Sequence, residues 1–231
     1  MSLGASQVLG PGDPVLELPE SGEVRIGSGV RLQDGCMAAS KAGRLQRTNR
    51  GKLWIKGRQK KYIPRVDDAV VGIVRDRLPE NFIVDINGPF NADLPLLAFE
   101  NVTRRNIPAL KAGDLVYARV TAADRDLHPV LACTNALGKA AGMGPLSGGM
   151  TFSVSSATVA SLLAVPPHPA LAALGAAFKF EVVVGVNGLC WVDADKLATC
   201  VLVANCIRNC EDLGAEEAGA VTKRIVQAMA G

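Results

Sequence analysis

The chain has 231 residues, enough for one to three domains, and 48% of them are hydrophobic, enough for packed cores. Charged residues make up 20%, which excludes a disordered polyelectrolyte, and aromatic residues only 4%, so any sheet must be built on Val, Ile and Leu. The formal charge of +3 hides an asymmetry: residues 41–65 hold ten Lys and Arg and no acid, while the remainder holds fifteen basic and twenty-two acidic residues.

Taken in chain order, residues 1–11 read as a flexible start, with neither the basic flank nor the apolar run of a signal peptide. From Gly12 onward come short apolar runs, DPVLELP, EVRIGSGVRL, CMAASKAGRLQ and KLWIKG, separated by Gly, Pro, Ser and Asn. That spacing predicts a small all-β unit made of hairpins. The basic segment KAGRLQRTNRGKLWIKGRQKKYIPR fills its last two strands. Such a segment attracts polyanions; a solvated surface or a nuclear-import tract is the plainer reading.

Residues 66–145 carry a second β pattern. AVVGIVRD is a strand. NFIVDIN alternates, with Phe82, Val84 and Ile86 on one face. PFNADLPLLAF follows, and Pro95 marks an edge or a strand end. LKAGDLVYARVTAAD feeds a further strand through a turn, and HPVLACT closes the set. Five strands with one long excursion, Glu100 to Ala112, predict a five-stranded OB barrel.

GKAAGMGPLSGG is predicted to be a linker with tight turns. It lacks the Lys-Ser or Lys-Thr of a Walker A loop, and the strand MTFSV follows it where a Rossmann turn would need a helix. Residues 140–178 contain no charged side chain, but glycines and VPPHP interrupt them, and no window is apolar for long enough to span a membrane.

The last part alternates strand and helix. Ser155 or Ser156 caps a short helix. HPALAALG is a second, with Pro169 in its first turn and Gly175 just past its end. FKFEVVVGV and LCWVD are strands. Asp193 or Asp195 is expected to cap a helix through Cys210, apolar nearly all round and so deeply buried. A final amphipathic helix places Val221, Ile225, Ala228 and Met229 on one face. The order predicts a KH-like α+β module.

VVVGVNGLCWV (Val182–Val192) can be read in two ways. Its G-x-x-G matches the loop with which KH domains clamp four nucleotides. Its Asn-Gly between apolar runs is a hairpin signal. The x positions are Val186 and Asn187, no Lys or Arg lies between Lys179 and Lys196, and Glu181, Asp193 and Asp195 make the surroundings negative. A phosphate would meet no counter-charge, so the scaffold reading is preferred. Gly185 and Gly188 then allow close approach, Asn187 and Gly188 supply the turn, and Trp191 anchors a domain contact.

No catalytic constellation emerges. The two histidines, His128 and His168, accompany no nucleophile elbow. The six cysteines contain no C-x-x-C and have apolar neighbours, so reduced buried thiols are expected and a zinc site is not. Asp67-Asp68 and Asp124-x-Asp126 lie beside turns, where Asp bonds locally.

GDPVLEL, KAGRL, KKYIPRVDDAVVGIV, FENVTRRNIPALKAGDLVYARV, GKAAGMG and VVVGVNGLCWV run in one order over about residues 12–210. In this the chain resembles the cap subunits of the eukaryotic RNA exosome, and among them the ribosomal RNA-processing protein 40 family. The sister family of ribosomal RNA-processing protein 4 shares the architecture. The tail GAEEAGAVTKRIVQAMAG is hard to match. The resemblance implies a flexible segment (1–11), an N-terminal β domain (12–65), an S1-type OB-fold RNA-binding domain (66–145) and a KH-like domain (146–231). It implies a non-catalytic subunit seated on a ring of ribonuclease-like subunits, guiding RNA into the ring channel in the nucleus, the nucleolus and the cytoplasm.

Expected partners are single-stranded RNA, the ring subunits and the other cap subunits, with no membrane, small-molecule substrate, cofactor or metal. A free OB/KH accessory factor of ribosome or transcript processing is the alternative. Candidate RNA contacts are Lys60, Lys61, Arg65, Arg75, Arg104 and Arg105. Phe82 and Tyr117 are possible stacking rings, with a core position favoured for Phe82 by its alternation. The cations of residues 41–58 could face RNA or acidic protein equally well.

Overall fold

A computed structural model describes residues 8–17, 24–33, 35–47, 51–57, 61–124, 126–164, 168–211 and 213–230. The chain divides into two units, residues 1–59 and 60–231, each with its own core.

Among the described residues the first unit has seven strands: β1 (Val8–Leu9), β2 (Pro14–Glu17), β3 (Arg25–Ile26), β4 (Val30–Gln33), β5 (Cys36–Ala39), β6 (Gly43–Arg47) and β7 (Lys52–Lys56). They form two sheets, ordered β1-β6-β7-β3 and β2-β5-β4. Leu9, Val30, Met37, Ala39, Leu53 and Ile55, drawn from both sheets, make the core. The β4–β5 and β6–β7 pairs are hairpins, but β3 and β4 are not: β3 pairs in parallel with β7, and β4 belongs to the other sheet. EVRIGSGVRL therefore crosses between sheets at Gly27–Gly29. Residues 1–11, expected to be flexible, include a strand at Val8–Leu9 that pairs with β6.

The second unit opens with β8 (Ala69–Arg77), β9 (Asn81–Asp85), β10 (Ala92–Pro95), β11 (Leu115–Ala122), β12 (Val130–Ala132) and β13 (Gly144–Leu146). Strand β12 pairs with both β10 and β11, so β8-β9-β10-β12-β11 closes into the expected five-stranded barrel. Alternation fills it: Val70, Val74, Phe82, Val84, Ile86, Val116, Ala118 and Val120 point inward and are sealed. Pro95, which cannot donate to a ladder, ends β10. The glycine-rich connector was expected to be linker only; its Gly144–Leu146 instead pairs with Leu115–Tyr117 as a sixth strand.

The remainder is β14 (Met150–Ser153), α1 (Ser156–Leu162), α2 (Pro169–Ala177), β15 (Glu181–Val184), β16 (Leu189–Asp193), α3 (Leu197–Asn209) and α4 (Ala215–Ala230), with sheet order β14-β16-β15. One sheet face supplies Phe152, Cys190 and Val192 to a core closed by Leu162, Leu174, Val203 and Ile207.

Four local expectations change here. Ser155 caps α1, with Oγ accepting from Thr158 N at 3.3 Å, but α3 starts at Lys196 without any side-chain cap. Helix α2 continues through Gly175 to Ala177. Helix α3 is not buried all round, since Leu197 is 70% exposed. On α4 the buried positions are Ala218, Gly219 and Thr222; Ile225 of the expected face packs with Val226 against the sheet-side core, Val221 is half-buried, and the side chains of Ala228 and Met229 lie outside the described residues, so the core face is shifted from the one centred on Val221.

Candidate nucleic-acid interface

The excursion between β10 and β11 is pinned to the barrel by its apolar residues. Leu110 is buried in the barrel core, and Val102 and Ile107 pack against it. Between them, Thr103–Asn106 forms a turn closed by Asn106 N donating to Thr103 O at 3.1 Å. The Asn106 carboxamide locks it further. Its Oδ1 accepts from Thr103 N (2.5 Å) and Thr103 Oγ1 (2.8 Å), and its Nδ2 donates to Asn101 O (3.1 Å). Arg104 and Arg105 are the two central residues of this turn, and both are exposed.

A second loop joins the base of the excursion. Phe99 bridges to Cys133, and Glu100 Oε2 accepts from Ala140 N at 2.7 Å. Asn135 Oδ1 holds the amides of Leu137 and Lys139, at 2.9 and 3.0 Å. Lys139, which sequence reasoning did not single out, is exposed on this loop, whose Ala140 amide is tied to Glu100 at the base of the excursion. In sequence it lay in GKAAGMG, a stretch that carries the family resemblance but was read as linker.

The other candidate cations sit elsewhere. Lys61 and Arg65 precede β8, whereas the arginine excursion follows β10. Strands β8 and β10 both run antiparallel to β9, so the two groups leave opposite ends of the barrel. Lys60 lies outside the described residues. Arg75 is not a free cation: its Nη2 lies 2.6 Å from Asp85 Oδ2. Partial burial works against ionisation of Asp85. The Arg75 hydrogen bond, the Asn87 amide and the charges of Arg75 and Lys61 outweigh it and hold the carboxyl below its usual range. Arg119, likewise, is tied to Asp67 Oδ1 at 2.6 Å and to Thr134 O.

Of the two candidate rings, Phe82 is fully buried in the barrel core, edge-on to Phe99 with centroids 6.4 Å apart. It presents no face to a base. Tyr117 is on the outer surface of β11 and half-buried.

The G-x-N-G turn joins β15 to β16 and lies against the barrel. Asn187 is 4% exposed. Its Nδ2 donates to Val71 O (2.7 Å) and Ile86 O (2.9 Å), and its Oδ1 accepts from Val71 N (3.3 Å). Three of the four loop amides are already committed: Gly185 N to Leu189 O, Val186 N to Ala69 O, and Gly188 N to Gly185 O. A phosphate would find almost no donors here. A Cβ on Gly185 would collide with Asn187 Oδ1 and lie 2.7 Å from Val71 N. Of the Asn-Gly pair only Gly188 has positive φ, +85°, and its Cβ would sit 2.8 Å from Val154 O. Trp191 faces away from Cys190 and Val192, is 4% exposed, and donates from Nε1 to Gly148 O at 2.9 Å. Val71 points out of the barrel yet is fully buried, because the KH-side strands cover it.

A closed OB barrel carrying a pinned cationic loop, bonded to a small α+β domain through a non-gripping G-x-N-G turn, defines a protein of the S1–KH class. Residues 62–144 match the family model "Exosome complex component RRP40, S1 domain", and residues 149–197 match a KH domain model. The exosome complex component rrp40 of Schizosaccharomyces pombe is 41% identical over 214 residues, covering 90% of this chain and 89% of that protein. The RRP40 component of Drosophila melanogaster is 38% identical, covering 92% of each. A crystal structure of a protein assigned as an exosome complex RNA-binding protein shares the fold, with a TM-score of 0.59 at 23% identity over 74% of this chain and 95% of that one. The chain belongs to the exosome complex component RRP40 family.

Proposed function

We propose that this chain is a non-catalytic, RNA-binding cap subunit of an exosome, and that it guides single-stranded RNA across its barrel into the channel of a neighbouring ring of ribonuclease-like subunits. The observation that carries the proposal is the arginine turn. Arg104 and Arg105 are held outward by a rigid carboxamide clamp at one end of a closed barrel, with Lys139 on the adjoining loop. A turn backbone that is already ordered leaves less of the chain to be fixed when its cations meet phosphates, and phosphate contacts dominate the affinity of single-strand binders. Because Phe82 is sealed in the core, recognition here is electrostatic and poorly selective for sequence. The KH module acts as a packing block for the barrel, since its loop amides serve the protein itself. The complex works in the nucleus and nucleolus and also in the cytoplasm.

The test is to tag the chain, recover its native complex and measure RNA capture against salt. Co-purification of ribonuclease-like ring subunits supports the cap assignment; recovery of the chain alone points to a free accessory factor. Arg104→Glu with Arg105→Glu is expected to weaken capture and to reduce the slope of log K against log salt by about 0.7 per lost phosphate contact. An unchanged slope removes the turn from the RNA path.

A further inference from the structure

The chain contains two Asn-Gly pairs, Asn87–Gly88 and Asn187–Gly188, and the fold treats them oppositely. Asparagine followed by glycine is open to a reaction of the chain with itself. The glycine nitrogen attacks the side-chain carbonyl carbon of the asparagine, and glycine has no Cβ to crowd the approach. Asparagine counts among the thermolabile residues for this kind of chemistry. The reaction needs a carboxamide and a following nitrogen that are both free to meet.

At Asn187 neither group is free. The carboxamide is bonded to Val71 N, Val71 O and Ile86 O, the residue is 4% exposed, and Gly188 N is given to Gly185 O at 3.0 Å. At Asn87 both are free. The residue is exposed on the loop between β9 and β10, and neither its carboxamide nor Gly88 N hydrogen-bonds to any of the described residues. Asn87 is held by its main chain alone: its N donates to Asp85 Oδ1 at 2.8 Å and its O accepts from Tyr62 N at 3.2 Å. The turn has its own reason for asparagine. The φ of Asn87 is +58°, in the left-handed region that asparagine accepts more readily than most side chains.

We propose that Asn87 is a site of spontaneous deamidation in the folded protein, from which Asn187 is protected. Gly88 N gives its proton to solvent and bonds to Asn87 Cγ. The Cγ–Nδ2 bond then breaks, and ammonia leaves with a proton taken from water. Water opens the resulting cyclic imide at one of its two carbonyls. Attack at Cγ restores the ordinary chain with aspartate at position 87. Attack at the main-chain carbon leaves the chain running through Cβ, as isoaspartate. The balance is one water in and one ammonia out. Either product adds a negative charge beside Asp85, at the barrel end where Lys61 and Arg65 lie, and leaves the arginine turn untouched. In the isoaspartate the carbonyl that receives Tyr62 N–H becomes a free carboxylate, so the hold on the segment entering β8 changes as well. None of this depends on the RNA-binding reading.

The test is to age the full chain in mildly alkaline water enriched in oxygen-18, folded and, in parallel, unfolded in urea. Trypsin then places the two pairs on separate peptides, Leu78–Arg104 and Phe180–Lys196, for mass spectrometry. In the folded chain heavy oxygen is expected at Asn87, with isoaspartate among the products. Asn187 reacts only from states in which its buried bonds are open, so its uptake there should be roughly 100-fold slower. In the unfolded chain the two asparagines should convert alike. Gly88→Ala places a Cβ 3.4 Å from Phe90 O, an ordinary contact, so the variant should fold and lose most of the uptake at Asn87. Uptake at Asn87 that appears only in the unfolded chain overturns the proposal. So does equal uptake at both asparagines in the folded chain, which would mean that the fold selects neither. Wild-type uptake in Gly88→Ala, or aspartate formed without isoaspartate, would mean direct attack by water and overturns the cyclic route.

Discussion

Asn187 and Val71, 116 residues apart in sequence, hold each other through both amide groups: the side chain of one donates to the carbonyl of the other at 2.7 Å and accepts from its N–H at 3.3 Å. A carboxamide here does the work of one more rung in a β-ladder, and its second N–H reaches Ile86 O. Replacing Asn187 by Ala strands these buried backbone groups, each costing about 1–3 kcal/mol when left unpaired. We expect a loss of about 3 kcal/mol in urea unfolding. Asn187→Asp should be worse, since it sets an oxyanion against two carbonyls. An unchanged midpoint for either variant would show that the contact is held by other groups.

Trp191 supports the same junction from the neighbouring strand. Trp191→Ala is expected to cost about 3–5 kcal/mol, through lost burial and a cavity. Trp191→Phe keeps most of the burial and removes the bond to Gly148 O, so it should cost about 1 kcal/mol. Equal melting temperatures for the two variants would mean that the ring contributes little packing.

The arginine turn offers a test that leaves charge alone. Asn106→Ala removes the clamp on Thr103 and Asn101 but neither guanidinium. Fixing the backbone of one freed residue on binding costs about 1–2 kcal/mol, so RNA capture should weaken by roughly 5- to 30-fold. The salt slope should stay at the wild-type value, because the phosphate contacts still form. A changed slope would mean that the turn places different cations on the RNA.

The thiols give an alkaline signature. Burial pushes Cys133 up to about 12, and burial with the Glu211 charge pushes Cys190 up to about 12. In the unfolded chain a thiol ionises near about 8.5, so the folded state binds protons the unfolded state has lost. Their contribution is whole below about pH 8.5 and falls away as pH rises toward 12. Unfolding titrations from pH 8 to 11 should show it, and Cys133→Ala should flatten the decline. At neutral pH, Cys36, the exposed cysteine among five buried ones, should react with a thiol reagent well ahead of the rest. Several thiols reacting together would contradict the burial.

The barrel strands were legible because alternation is a local property. Phe82, Val84 and Ile86 recur every second residue, and Pro95 can only stand where a ladder ends. Ser155 was legible as a cap for the same reason: the hydroxyl bonds an amide three residues away. Elsewhere local signals misled. Glycines around Met143 look like linker, yet Gly144–Leu146 finds a free edge on β11. Asp193 and Asp195 look like caps, yet Asp193 is the last residue of β16 and α3 begins without one.

Sequence alone determined the kinds of element, the apolar face of each barrel strand, and the concentration of positive charge within residues 41–65, because each depends on neighbours a few bonds away. Tertiary structure alone decided which groups meet. Barrel closure sent Lys61 and Arg65 to one end and Arg104 and Arg105 to the other, and left Arg75 tied to Asp85. Docking of the two domains turned Asn187 from a turn residue into a bond with Val71, since a carboxamide's partner is chosen by what lies within about 3 Å of it in space, which no local pattern encodes.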